Sequence, residues 1–528
     1  MNFQSNFYLI KHNLIKQMRS YSFLIVIGIS MFLGYFCVPS AADGYEVFYI
    51  GGVRGIYNSA WLGGMAAMLS TLSLWLFGFY MLRSQISEDQ RLKVGQIIAS
   101  SPISKLRYIS GKAISNFVVL IVIELILNMA FMAMQLLRGE DYHLQLWDYA
   151  APFLFIGLPS LFVLAALTVL FDVFPGLKGV LGNLVFFSLW IFFSVISIAS
   201  PSSVLDLFGL DAIRSDMVQE AAVKYPYIAQ SEAGGSFGYY PVEGEIPTFE
   251  WQGVRWDFHL LTPRLVWVAI AVILILLSSV LFNRFKTNKD NKSVIKASIY
   301  DTNKKRPAPL EQKGLLELSP VKKEKGVRLF RLIKAELRVM LKGLTVWWYL
   351  LAGGLAGCSF FVPLDTVRAW LPVMMVLPIA IWSQMGTREK HYFTRELVLS
   401  SCPRLVKWFA VWVAGIVVTL LFSLGAIVQF ALHAQWSSVY SWGVGVFFIP
   451  TLALTLGVMS GSRKLFEVIY MLWWYLGPFN DIPYLDFLGI SKSYAGLYIA
   501  LTFILIAAST AVQIMQSGHL SIKRRVSR

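Results

Sequence analysis

Long apolar runs alternate with short polar ones along the whole chain. The first covers residues 22–38; then come 61–82, 113–136, a fourth ending near Phe171, 180–199 and 265–282. Each approaches the roughly 20 residues a helix needs to cross hydrocarbon. Backbone polar groups in lipid must bond within their own segment, so the runs predict helices. There are too few turn-separated alternating segments for a β-barrel. Ahead of the first run, FYLIKHNLIKQMR at 7–19 spaces its apolar residues helically, with Lys11, Lys16 and Arg19 between them. That pattern predicts an amphipathic helix lying in the membrane interface.

The polar stretches divide into two kinds. Residues 201–264 are rich in acids (Asp206, Asp211, Asp216, Glu220, Glu243, Glu245, Glu250) and poor in Lys and Arg, the composition of an outer segment. Its tail, TFEWQGVRWDFHL, alternates bulky and polar residues and predicts a small hairpin at the membrane surface. Residues 284–328 hold far more Lys and Arg than Asp and Glu, so they predict a cytoplasmic linker with little fixed structure.

Beyond the linker the first half is replayed. Leu332-Ile333-Lys334 answers Leu9-Ile10-Lys11, and Phe361-Val362-Pro363 answers Cys37-Val38-Pro39. Pro450-Thr451-Leu452 answers Pro159-Ser160-Leu161. Leu465-Phe466-Glu467-Val468 answers Leu170-Phe171-Asp172-Val173. Leu485-Asp486-Phe487-Leu488-Gly489 answers Leu205-Asp206-Leu207-Phe208-Gly209. The shared order carries the argument. The expected architecture is an all-α polytopic membrane protein with about twelve transmembrane helices. They form two homologous six-helix halves, 1–283 and 329–528, each preceded by an interfacial amphipathic helix. Basic segments at both termini place them in the cytoplasm and require an even number of spans. The runs 370–382 and 465–479 are short or broken by Pro and Gly.

The most informative polar stretches are two interruptions between apolar runs, 84–112 (SQISEDQRLKVGQIIASSPISKLRYISGK) and 383–407 (SQMGTREKHYFTRELVLSSCPRLVK). Both begin Ser-Gln, carry a charged cluster, and end in an apolar turn, a Ser pair and a proline. In 93–104, Val94, Ile97, Ile98 and Ile103 fall near helical spacing. A short helix with an apolar face, held between two spans, can carry force from a soluble partner. The pair therefore reads as two copies of a docking loop.

Composition agrees. The 528 residues are 56% apolar, 15% aromatic and only 14% charged, which excludes an ordinary soluble protein. The net charge of +16 gathers beside the apolar runs, not in a basic module with interleaved aromatics, so nucleic acid is not expected. The three cysteines have no ligand spacing and read as packing residues. No metal is expected, because the six histidines are scattered. No G-x-x-x-x-G-K-[ST] occurs, so the chain has no ATPase domain of that type. Gly234–Gly238 fits G-x-S-x-G, with Asp257 and His259 following, but the outer segment is too short for the parallel sheet that such a nucleophile requires. Glu124, inside the third run, is a candidate intramembrane functional acid.

The loops resemble those of the membrane subunits of ABC-2 type transporters, two copies fused in one chain. In that family a basic interfacial helix precedes the first span. Its loop between the second and third spans runs E-x-x-x-G-T…L…P-[IV]-S…G-K. Here Glu88, Gly95, Ile98, Pro102-Ile103-Ser104 and Gly111-Lys112 follow that pattern, with Gln96 in place of Thr. The second copy keeps Glu389, Leu399 and Pro403 but lacks the Gly and the Gly-Lys. The resemblance implies a transport subunit of the bacterial cell membrane that is not itself an enzyme and binds no cofactor. A separate ATP-binding subunit, in two copies, would use ATP and dock on Glu88, Arg91, Gly95, Ile98, Pro102, Glu389, Arg395, Leu399 and Pro403. Export of a hydrophobic or amphipathic cargo (drug, peptide, bacteriocin or lipid) is the implied activity. Alternatives are an ion-coupled 6+6 secondary transporter, whose G-x-x-x-D-[RK]-x-G-R-[RK] run is missing between the second and third spans, and a polytopic membrane enzyme or sensor.

Overall fold

A computed structural model describes residues 3–18, 21–39, 44–199, 204–230, 235–242, 246–283, 285, 329–342, 344, 346–392, 394–479, 483–489 and 494–526. Apart from Phe285, the linker expected at 284–328 lies outside the described residues.

The first half opens with α1 (Phe3–Met18) and α2 (Tyr21–Phe36). Strands β1 (Tyr45–Ile50) and β2 (Arg54–Gly55) lead to α3 (Ser59–Leu82), whose first turn is capped by Asn58 accepting the Trp61 N–H at 2.8 Å, the usual service of an Asn at that position. Two short helices, α4 (Gln85–Arg91) and α5 (Val94–Ser100), precede the long α6 (Lys105–Arg138), which Ser104 caps. Helix α7 (Leu146–Pro152) continues through a π-helical turn at Phe153–Gly157 into α8 (Leu158–Val173). Then come α9 (Val180–Ala199), α10 (Leu210–Lys224), α11 (Tyr227–Gln230), β3 (Gly235–Pro241), β4 (Thr248–Phe249) and α12 (Phe258–Leu281).

The second half runs α13 (Leu329–Leu341), α14 (Val346–Cys358), α15 (Leu364–Met374), α16 (Ile379–Trp382), α17 (Arg388–His391), α18 (Arg395–Ser401), α19 (Arg404–Leu432), α20 (Trp436–Ser460), α21 (Arg463–Trp474), a π-helical turn at Tyr475–Phe479, and α22 (Ala495–Val526).

Among the described residues, nine helices are long and apolar enough to cross a membrane, and Val26–Phe36 and Trp348–Cys358 are shorter apolar helices. The chain is a polytopic, mostly α-helical membrane protein. Its outward faces suit lipid: α12 exposes Leu265, Ile273 and Val280, a display that a water-soluble surface does not sustain over several turns. About twelve spans were expected; among the described residues nine helices reach the length. Run 370–382 belongs to a span-length element, Leu364–Trp382, broken at residues 375–378. Run 465–479 is a 12-residue helix and a π turn, outside the nine.

The chain folds as two compact units. Unit 1 comprises Met1–Asp89, Ile103–Phe282 and Ser462–Leu476; unit 2 comprises Gln90–Pro102, Asn283–Gly461 and Gly477–Arg528. Thus α5, from the first half of the sequence, belongs to unit 2, and α21, from the second half, belongs to unit 1.

At one end of unit 1 a small β layer covers the helices. β1 pairs antiparallel with β3, Phe48 opposite Phe237 and Tyr49 opposite Ser236, and β2 pairs parallel with β4, Arg54 opposite Thr248. The hairpin expected in TFEWQGVRWDFHL does not form. Thr248 and Phe249 pair instead with β2, some 190 residues earlier in sequence, because buried Trp61 offers Phe249 and Trp251 an edge-on aromatic seat at 5.6 and 6.3 Å. A buried Arg54 ties the layer together, 2.7 Å from Glu46 and 2.7 Å from Glu140, while the Tyr57 hydroxyl donates to Glu46 at 2.5 Å.

One of the internal matches keeps its local turn. In Leu205–Gly209, the Leu207 N–H donates to the Leu205 carbonyl, Asp206 accepts the Leu210 N–H, and Gly209 has φ +70°. In Leu485–Gly489, the Phe487 N–H donates to Leu485, Asp486 accepts the N–H groups of Leu488 and Gly489, and Gly489 has φ +68°. The left-handed φ explains the glycine in each. In another match the two acids sit differently in their helices: Asp172 is near the end of α8, whereas Glu467 lies inside α21.

Replacing Arg54 by Ala should leave Glu46 buried without its cation and cost about 3 kcal/mol or more. Thermal unfolding in detergent should show the loss, and limited proteolysis should cut the β layer faster; Arg54→Lys should recover part of both.

Candidate functional site

Helix α4 is fixed at its start by a residue far away in sequence. Asp172, at the end of α8, accepts the N–H of Ser84 at 2.6 Å and that of Ile86 at 3.3 Å. Ser84 and Lys93, which bracket α4, both take positive φ (74° and 63°), a costly conformation for side-chain-bearing residues. Lys93 turns the chain sharply from α4 into α5.

Ion pairs then clamp α4 to α1 and α6. Lys112 of α6, its side chain 3% exposed, lies 2.8 Å from Asp89. The same carboxylate accepts the Tyr108 hydroxyl at 2.7 Å, and the Lys112 ammonium also donates to Asn13 of α1 at 3.0 Å. Lys16 of α1 reaches Glu88 at 3.0 Å, with both side chains about two-fifths exposed. Arg91 and Pro102 are exposed and Ile98 is half-buried. Gly95 is buried; a Cβ there would meet the Phe285 ring at 2.7 Å. Leu92, Val94 and Ile97 stay exposed, Ile97 at 69%.

Within unit 2 the loop 383–407 is held by the same three kinds of element. Glu336 of the amphipathic α13 faces Arg388 at 3.5 Å and Lys407 of α19 at 3.8 Å, and Lys407 also pairs with Glu389. The polarity is reversed: α1 supplies a cation to its loop, α13 an anion. Pro403 starts α19, its carbonyl accepting the Lys407 N–H at 3.0 Å. Arg395 is half-buried in the first turn of α18, and the Leu399 side chain lies outside the described residues. Leu397, 75% exposed, and Tyr392, 61%, point away from the unit.

Sequence reasoning selected Glu88 and Glu389 and matched Lys112 to the family's loop pattern, but gave no anchoring role to the residues that hold the loops: Asp89, Lys112, Tyr108 and Asp172 in one, and Glu336, Arg388 and Lys407 in the other. A signal was present, since both stretches end in a lysine, Lys112 and Lys407. The second keeps the ion pair without the preceding glycine. Also missed was the seat of α21 in unit 1, where Lys464 donates to the Arg83 carbonyl and Asn183 to Glu467. Burial pushes the Lys464 ammonium down to about 8, against the pull of Asp172.

Glu124 is wholly buried in α6, 3.0 Å from the Ser70 hydroxyl of α3. At the β-layer end of unit 1 an open cavity of about 560 Å³ is lined by Asp206, Asp211, Asp216, Glu220 and Asp257. Three of these acids are engaged: Asp206 by Arg264, Asp211 by Arg214, and Asp216 by the Trp251 indole. Ser236 lies in β3 opposite Tyr49 and Asp257 precedes α12, so the G-x-S-x-G run is no strand-to-helix elbow. Among the described residues no group of three or more His, Cys, Asp or Glu could hold a metal ion.

Compared with known protein families, curated proteins and solved structures, the chain matches none. Its class rests on its own helices.

Removing either charge of the Lys112–Asp89 pair should cost about 3–5 kcal/mol, whereas Lys16→Ala should cost under about 1 kcal/mol, as exposed pairs do. A Lys112→Leu/Asp89→Leu double variant should lose clearly less than the sum of the two single changes, as read by thermal unfolding of the purified protein in detergent.

Proposed function

We propose that this chain is the membrane permease of an ATP-driven transporter, powered by two copies of a separate ATP-binding subunit that dock on 84–112 and 383–407. The observation that carries this reading is the pairing of exposure with anchorage. Ile97 and Leu397 stand out from short helices whose neighbours α4 and α17 are fastened by ion pairs to α6 and α19. Exposed apolar residues on a soluble-facing loop suit a protein partner. A rigid attachment is what lets a partner's movement reach the spans. In this reading the loops, both termini and the 284–328 linker are cytoplasmic, the halves 1–283 and 329–528 are homologous six-helix units, and the β layer faces outward. The matching turns at Asp206 and Asp486 support the duplication. Export of a hydrophobic or amphipathic cargo follows from the family resemblance.

A second reading, ion-coupled transport, is favoured by one observation, the buried carboxyl of Glu124 between spans.

Purification in mild detergent separates the two. An ATP-binding subunit should co-purify with the wild-type chain and confer ATPase activity. Ile97→Glu together with Leu397→Glu should weaken that association by a factor of about 10 or more, since an interface hot spot is worth about 2 kcal/mol or more, with membrane insertion unchanged. A chain that purifies alone and without ATPase activity would overturn the docking reading.

A further inference from the structure

The Ser70 hydroxyl oxygen lies 3.0 Å from the carbonyl oxygen of Ala67 and 3.0 Å from Oε1 of Glu124. A serine hydroxyl has one proton to give and two lone pairs to receive with. The Ala67 carbonyl can only accept. If Glu124 were ionised it too could only accept, and one proton would have to serve two oxygens. The contact left over would be two oxygen atoms facing each other with no hydrogen between them. If Glu124 carries a proton, the count closes: Glu124 donates to Ser70, and Ser70 donates to Ala67.

The surroundings give an ionised carboxylate nothing else. Glu124 has no exposed surface, and its Oε2 has no hydrogen-bond partner. A neutral carbonyl oxygen tolerates that far better than a carboxylate oxygen does. The helices packed on α6 are α1, α2, α3, α8 and α12. α2 carries no charged residue, and α3 has Tyr80 as its one ionisable group. The 146–173 segment holds Asp148 and Asp172 near its two ends, and α12 holds His259 and Arg264 in its first two turns. Of the cations of α1, Lys16 is spent on Glu88 and Asp89. On α6 itself, Lys112 is twelve residues from Glu124 and Arg138 fourteen, about 18 and 21 Å along a helix.

Gly157 completes the site. It ends the π-helical turn, and a Cβ at that position would fall on the Glu124 carboxyl. Turns of this kind, which widen a helix by one residue, recur at functional positions.

We infer that Glu124 is an intramembrane proton-binding site, whose bound proton fastens α3 to α6 beside the π-helical turn. The proton can leave only when α3 or the turn draws away and admits water or a cation, so proton release is tied to separation of these spans. The inference does not depend on the docking loops and stands whether or not an ATP-binding subunit is recruited.

The test is infrared spectroscopy of the full chain in proteoliposomes, as the difference between wild type and Glu124→Gln. Glutamine keeps both the shape of the protonated acid and a donor for Ser70, so this variant should fold. The expected result at neutral pH is loss of a protonated-carboxyl C=O stretch, with no change in the carboxylate bands. Ser70→Ala should move that stretch to higher frequency in an otherwise wild-type chain, which keeps the test open should Glu124→Gln fail to fold. A difference spectrum made only of carboxylate bands, or a C=O stretch indifferent to Ser70→Ala, would overturn the proposal.

Discussion

A charge buried against hydrocarbon must bring its counter-charge with it. Lys112 obeys this rule, and the loop end of unit 1 depends on the result. Its ammonium is almost fully enclosed, and the carboxylate that balances it, Asp89, belongs to the preceding short helix. Exposed pairs are worth little, whereas breaking a buried one strands a charge. The weight therefore rests on Lys112–Asp89, and the half-exposed Lys16–Glu88 contact adds little. Once Asp89 is held, α4 is fixed between α1 and α6. The Asp172 cap then fixes its other end. In unit 2 the partly buried Glu336, Arg388, Glu389 and Lys407 pair in a similar way, with an anion on α13 where α1 has a cation and a lysine on α19 as on α6.

Deeper among the spans, several polar groups are paired as neutral hydrogen bonds. The Trp75 indole donates to Ser160 at 2.8 Å, Asn116 to Thr168 at 2.9 Å, and the Trp412 indole to Thr451 at 2.8 Å. Such pairs let helices recognise one another where apolar burial alone gives no direction, because lipid is as apolar as a leucine side chain. Glu124 fits the company once it carries a proton. Close approach of backbones is the other device. Gly63 lies against the Asp148 carbonyl and Gly445 against that of Phe487, each where a side chain would not fit.

On the proposed function, a loop held by ion pairs would pass a partner's movement on to the long helix that follows it, where an unsupported loop would absorb it. Among the interior contacts, Glu124 with Ser70 is the one that the proposed proton would strengthen.

The apolar runs by themselves determined the helices. The first half yields α2, α3, α6, the α7–α8 pair, α9 and α12 close to where their hydropathy put them, because hydrocarbon forces the backbone to bond locally and length alone then decides what can span. The amphipathic pattern likewise gave α1 and α13, and the recurrence of Ser-Gln, charge, Ser-Ser and Pro gave the two loops. The sequence match between Leu205–Gly209 and Leu485–Gly489 kept the glycine in each, and both take a left-handed φ, a matter of local backbone sterics. What only the tertiary structure decided were long-range pairings with no local signature. The β layer joins β1 and β2 to segments about 190 residues later, α21 seats itself in unit 1, and Asp172 caps α4. Lys112 chooses Asp89 over Glu88, and Ser70 falls between the Ala67 carbonyl and the Glu124 carboxyl. In each case the sequence supplied the donor and the acceptor, but only the packing of helices set which of them lie within about 3 Å of each other, the range in which hydrogen bonds and close ion pairs act.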